Sequence, residues 1–257
     1  MTNQKEAEQK EGKEVAIIEK YNIVPESMEE IRDAMETNLD GEELSPRDIF
    51  TTVKTPAAGG TMWSVPTFDG EIDTKIIDGI ILFIDHNRAF FEGEYGDEDV
   101  SPVPLCSSMD CVVGTGEPGG DCESCENNQY GSAPKGGGKA CREVRPIYFL
   151  IEGEAMPMML KVAAGSFKPL KEYRLKLLKA GIKLHQVETR FTLKKVKNPA
   201  GIAYSEIEFN AHKRIQDKDT IKAIEAYRQK LEPFIKPVPA KKPEPAPEPA
   251  VTEQMAS

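Results

Sequence analysis

The sequence predicts a mixed α+β fold: a five-stranded β-barrel or sheet with an inserted, zinc-held module rich in cysteine and glycine, and helices at its flanks. Three observations predict it. Strand-period and helix-period runs alternate in a fixed order between residues 75 and 214. All five cysteines fall between Cys106 and Cys141. Both ends of the chain have a composition that builds no core.

Residues 1–50 read as an acidic N-terminal extension. Its start is charged and holds no apolar run, so it is neither a signal nor a transit peptide. Residues 27–39 fit a helix with Ile31 and Met35 on one face. Residues 51–235 read as one folded domain. Residues 55–67 form a Pro/Gly-bearing loop that holds the only tryptophan, Trp63. Residues 75–85 (KIIDGIILFID) suit a buried strand. His86 and Asn87 suit a turn, and residues 88–92 (RAFFE) read as the return strand.

After the cysteine module, residues 145–152 (RPIYFLIE) read as a third strand, with 156–163 as its continuation or hairpin partner. Ser166 is the expected cap of a helix through Ala180. Leu170, Tyr173, Leu177 and Leu178 form its stripe, and Gly181 ends it. Residues 184–196 alternate as a fourth strand, Asn198 to Gly201 form a turn, and 202–214 are the fifth. Asp217 or Asp219 caps a second helix, stopped by Pro233. Residues 236–257 are a Pro/Glu/Ala-rich segment expected to be a disordered, dispensable tail.

A helix between the third and fourth of five strands is the order of an OB-fold. That barrel binds oligonucleotides or oligosaccharides through its strand faces and its L12 and L45 loops.

The cysteines follow the pattern C-x4-C-x10-C-x2-C-x15-C. Cys122 and Cys125 have the spacing that lets two thiolates reach one ion, with further ligands from distant chain, as structural zinc sites are built. A Gly-rich stretch with little core gains its folding energy from such a metal. The module is placed at residues 101–145. An odd cysteine count without a signal peptide speaks against a disulfide framework. The Gly and Asn context of the pair speaks against a thioredoxin-like helix start. The chain has no His-x-Glu, so a zinc deaminase is excluded.

Net charge is -10, but its distribution is uneven. Residues 1–100 carry 9 basic and 24 acidic side chains; residues 151–200 carry 11 and 4. The run Lys194, Lys195, Lys197 falls between the fourth and fifth strands, where a barrel of this kind places a binding loop. Lys135, Lys139, Arg142 and Arg145 flank the module and suit phosphates. Trp63 and Tyr130 lie in predicted loops and suit base stacking. The segment from Pro134 to Ala140 fails the phosphate-loop pattern, with Ala140 where Ser or Thr belongs. The three histidines are scattered, and the acidic cluster of Asp69, Glu71, Asp73 and Asp78 lacks a supporting motif. An enzyme is not expected. No apolar run spans a membrane, and a reducing cytoplasm is expected.

The run CESCENNQYGS from Cys122, followed by GKACR ending at Arg142, resembles a pattern in bacteriophage and prophage proteins. CSSMD from Cys106 and GEPGGD before Cys122 fit the same pattern. Some of those proteins look like zinc-containing single-stranded DNA-binding proteins with an OB-like fold. The resemblance covers residues 76–210 at most and is sharp over 106–145. It implies zinc held by Cys106, Cys122, Cys125 and Cys141. Cys111 stands where the pattern has glycine after Asp110, and is either spare or a substitute ligand. The expected function is single-stranded DNA binding in phage replication or recombination, in the host cytoplasm, with replication or recombination proteins as partners. The alternative is a zinc-scaffolded adaptor for such an enzyme.

Overall fold

The structure, a computed structural model, describes residues 17–21, 23, 33–34, 36–38, 49–67, 69–91, 103–134, 137–154, 156–198 and 201–235. The expected tail, Lys135 and most of the N-terminal extension lie outside these residues. The fold is mixed α+β and mostly antiparallel. It divides into two compact units. One runs to Asn87 and resumes at Glu143; the other is Arg88 to Arg142.

The larger unit is built on a sheet of long strands. β4 (Ile77–Ile84) is antiparallel to both β9 (Arg142–Ile151) and β11 (Val187–Lys197). β9 pairs with β10 (Met158–Ala163), and β11 with β12 (Ala203–Arg214), both antiparallel. The order is therefore β12-β11-β4-β9-β10, with the short β1 (Thr52–Val53) parallel to β10 at the edge. A separate hairpin joins β2 (Trp63–Thr67) to β3 (Gly70–Thr74).

Both faces of the sheet's centre are buried, so β4 reads as a near-continuous apolar run. On one face Ile77, Ile81, Ile147, Phe149, Leu160 and Phe191 pack with Leu170, Tyr173 and Leu177 of α1 (Phe167–Lys179). On the other, Ile80, Leu82, Phe83, Tyr148, Leu150 and Met159 pack with Ile224, Tyr227, Leu231 and Ile235 of α2 (Lys218–Ile235). A register shift between Ile81 and Phe83 puts Leu82 and Phe83 on the same face despite their adjacency.

Tyr21, Ile23 and Phe50 join the second cluster. Parts of the expected N-terminal extension thus belong to the folded unit, because their apolar side chains finish a face that α2 alone does not cover. Residues 33–34 and 36–38 are helical and exposed, as the periodicity predicts for that stretch.

Local signals fare unevenly. Gly181 ends α1 as expected: at φ +66° it lets Ile182 N reach Leu177 O and its own N reach Leu178 O, both at 3.0 Å. Asp217 caps α2 through Thr220 N. Ser166 does not cap α1; its hydroxyl accepts from Ile207 N at 2.9 Å and ties the helix start to β12. Pro233 does not stop α2, which runs to Ile235. β5 (Asn87–Phe90) is a strand, but it pairs with β6 (Cys106–Ser108) in the cysteine unit, while β4 takes β9 as its neighbour.

Glu188 is a buried charge at the margin of the sheet, 6 % exposed. It accepts from Lys20 Nζ at 2.8 Å and from the Tyr21 hydroxyl. Burial pushes its carboxyl up, but these hydrogen bonds and the Lys20 charge outweigh burial and hold it below the ordinary glutamate range. A carboxyl lowered in the folded state adds stability above its unfolded pKa of about 4.3, lost as pH falls through the folded value. Glu188→Gln is therefore expected to cost about 1–3 kcal/mol at neutral pH. It should also shrink the acid-side fall in stability, as read by denaturant unfolding between neutral pH and acid.

Candidate metal centre and nucleic-acid interface

The cysteine unit is held by short ladders and by side chains that tie loops to backbone. β5 pairs with β6, β6 with β7 (Val113–Gly116), and β7 with β8 (Gly120–Asp121). The turn from Cys122 to Cys125 is organised by Asp121, whose Oδ2 accepts from Ser124 N at 2.9 Å and Ser124 Oγ at 2.8 Å. A 3-10 turn, Glu126–Asn128, follows directly, with Asn128 N donating to Cys125 O at 3.0 Å. Cys141 N donates to Asn127 O at 2.8 Å, which brings the last cysteine back to that turn. Cys122 N donates to Val112 O at 2.9 Å.

All five cysteines are free thiols, with Cys122 and Cys141 buried. Burial pushes both thiols up. The Arg88 guanidinium opposes this at both, and Ser108 opposes it at Cys122. The Cys141 thiol is raised further by Cys122, Cys125 and Cys106, and the Cys122 thiol by Cys106. Cys106, Cys122 and Cys125 thus all lie within electrostatic reach of Cys141. Among the described residues, no three His, Cys, Asp or Glu side chains are gathered closely enough to hold a metal ion as they stand. The donor chemistry suits zinc, and joining the sulfurs on one ion requires the thiols to turn inward to about 2.3 Å from it.

Two backbone positions shape this set. A Cβ at Gly114 would lie 2.8 Å from Cys106 Sγ, so only glycine leaves that thiol its place. Cys111 has φ +61°, a left-handed conformation that favours glycine. Asp110 Oδ1 stabilises this bend by accepting from Val112 N at 2.8 Å, Val113 N at 3.1 Å and Ser108 Oγ at 2.9 Å.

The expected nucleic-acid residues separate into groups. Tyr130 is 82 % exposed, with Lys139 Nζ 5.9 Å from its ring centre. Lys194, Lys195 and Lys197 are exposed at the end of the β11–β12 hairpin. Its tip is closed by Asn198 N to Ile202 O at 3.0 Å and Ile202 N to Asn198 Oδ1 at 2.9 Å. Trp63 is a correction: it is 0 % exposed, in the core with Val53 and Val65, and has no face to offer a base. The β2 alternation of Trp63 and Val65 inward was the missed signal, masked by nearby Pro and Gly.

Arg145 is engaged by Glu143, at 3.1 Å from Nε and 3.0 Å from Nη2, and stacks 4.2 Å over Phe167. Lys139 donates to Asn128 Oδ1 at 3.1 Å. Arg142 is half-buried. Among the described residues no helix is long and apolar enough to cross a membrane. Comparison with protein-family models, with curated proteins and with solved structures finds no match.

Proposed function

We propose that the chain is a zinc-containing single-stranded DNA-binding protein of OB-like architecture, acting in phage DNA replication or recombination in the host cytoplasm. One observation carries the reading: the strand order β12-β11-β4-β9-β10, with α1 between β10 and β11. Numbered along the chain as β4, β9, β10, β11 and β12, five antiparallel-paired strands with a helix after the third support the OB-like reading. The first binding loop of such a barrel then corresponds to the inserted cysteine unit, and its L45 loop to the lysine-bearing hairpin between β11 and β12.

The usual strand face is a poor site here. The outward side chains of β9 and β10, Tyr148, Leu150 and Met159, are covered by α2 and by Tyr21, Ile23 and Phe50. Binding falls to the loops of each unit taken by itself: in the larger unit Lys194, Lys195 and Lys197 meet phosphates, and in the cysteine unit Tyr130 stacks on a base and Arg142 supplies a further contact. Zinc, held by Cys106, Cys122, Cys125 and Cys141, supplies the rigidity that a unit so poor in apolar core lacks.

Fluorescence titration with a labelled single strand and with its duplex, at two salt concentrations, tests the reading. Micromolar or tighter single-strand binding, preferred over duplex, is expected. No single-strand binding at low salt would leave the adaptor reading, with the cysteine unit presenting Tyr130 to a protein. Gly114→Ala should push Cys106 Sγ aside and weaken zinc retention against a chelator, with the larger unit's unfolding unchanged.

A further inference from the structure

The lysine hairpin lies in the larger unit, and a single strand held there by phosphates alone has no base contact in that unit. Single-strand sites pair a basic track with an aromatic face on which a base stacks. Most described aromatic side chains of the larger unit are core and offer no face: Trp63, Tyr148, Phe149, Phe191, Phe209 and Tyr227 are all buried. Phe167 and Tyr204 are only partly buried. The Arg145 guanidinium lies 4.2 Å over the Phe167 ring and occupies it. Tyr204 is the aromatic left to meet a base.

Its surroundings suit that role. Tyr204 stands opposite Val196 in the β11–β12 register, and Lys195 and Lys197 flank Val196. β12 is the terminal strand of the sheet, and at its outer edge Ser166 Oγ accepts from Ile207 N at 2.9 Å. The Tyr204 ring is turned to the same edge, against Gly165: a Cβ there would lie 2.7 Å from Cε2 and 3.2 Å from Cδ2 of the ring. The ring therefore rests on glycine backbone, which holds it in place before a ligand arrives and lowers the ordering cost of binding. An edge position is reached from lysines on either face of the hairpin.

Basic charge continues past the ring. α1 begins two residues after Gly165 and carries five basic side chains and one acidic. Lys168 and Lys171, on its first turns, are exposed. The aromatic edge thus has exposed lysines before it, on the hairpin, and after it, on the helix.

We propose that Tyr204 is the base-stacking residue of the larger unit, and that a bound single strand runs from the lysine hairpin across Tyr204 to Lys168 and Lys171. This rests on the single-strand reading above and names its site in that unit. Gly165 is the positioning residue, because its missing side chain gives the ring its place.

The full chain is titrated with a labelled oligothymidylate at two salt concentrations. Tyr204→Leu, which keeps an apolar side chain at the edge but removes the aromatic face, should weaken binding by about 5–150-fold with the salt slope unchanged. Tyr204→Phe should bind as the wild type does. Gly165→Ala should displace the ring and weaken binding with the slope again unchanged. Lys168→Ala combined with Lys171→Ala should instead reduce the slope by about 1.4, at about 0.7 per phosphate. Trp63 is the only tryptophan and is buried, so wild-type emission should not respond to the oligonucleotide. Emission of Tyr204→Trp should be quenched as it binds, a response that a role in packing alone would not produce.

Wild-type affinity in Tyr204→Leu, or Tyr204→Trp emission that stays level while the oligonucleotide binds, would overturn the assignment of Tyr204 and leave single-strand binding standing. A wild-type slope in the double-lysine variant would overturn the path along α1. Wild-type protein that binds no single strand at low salt would overturn the single-strand reading itself, and this inference with it.

Discussion

Replacing Lys194, Lys195 and Lys197 together by alanine is expected to weaken single-stranded DNA binding at every sequence tested and to flatten its salt dependence. Each phosphate neutralised on a single strand contributes a slope of about -0.7 in log affinity against log salt. Three lost contacts therefore reduce the slope by about 2, a difference of roughly 20-fold across a fourfold change in salt. The three lysines should not contribute equally. Lys194 lies opposite Glu206 in the β11–β12 register, where a carboxylate offsets its charge. Lys195 and Lys197 lie opposite Ser205 and Ala203. The stem of Lys195 runs against Gly59, which props it. Lys195→Ala and Lys197→Ala should each flatten the slope more than Lys194→Ala. Tyr130→Ala should instead lose about 1–3 kcal/mol of stacking with the slope unchanged. A triple-lysine variant with the wild-type slope would sink the assignment of this hairpin.

What the sequence made legible follows from which signals are local. β4, β9, β11, β12 and both helices announce themselves by period, and each forms near its predicted span. Pairing is not local. Residues 88–92 have strand composition, but nothing in them specifies β6 over β4 as partner. The choice is made by β9, whose Ile147, Phe149 and Ile151 place three apolar side chains along the inner face beside β4. The consequence is large: counting β10 as the third strand and setting β5 aside keeps the expected helix position while changing which strand is second.

Capping was legible where the competing partner was local, as at Asp217, and misleading where a distant strand took the hydroxyl, as at Ser166. Trp63 shows the same limit. Its Pro- and Gly-rich surroundings describe a turn, yet a two-stranded hairpin carries it into the core. In the candidate metal set, the tight Cys122 and Cys125 spacing was readable. The burial of Asn128 beside that turn was not, because its hydrogen bonds join Arg88, forty residues away, and the carbonyl of Cys122.

Serine at any of Cys106, Cys122, Cys125 or Cys141 is expected to abolish retention of zinc, from about one ion per chain, under a chelator challenge that the wild type survives. Structural zinc contributes about 10–16 kcal/mol of apparent binding free energy at neutral pH in small metal-folded units. A hydroxyl does not replace a thiolate there, so the cysteine unit should lose its protection from proteolysis while the larger unit, with its two apolar clusters, keeps its own unfolding transition. Cys111→Gly should behave in the opposite way. Its left-handed backbone costs a side-chain-bearing residue about 1–2 kcal/mol, which glycine avoids. Glycine gives back about 0.5–1 kcal/mol through the greater freedom of the unfolded chain, so stability should stay level or rise slightly. Zinc analysis of the five single variants separates the roles of Cys106 and Cys111. If Cys111→Gly loses the ion and Cys106→Ser retains it, Cys111 is the fourth ligand, and its positive φ is strain held by the metal bond.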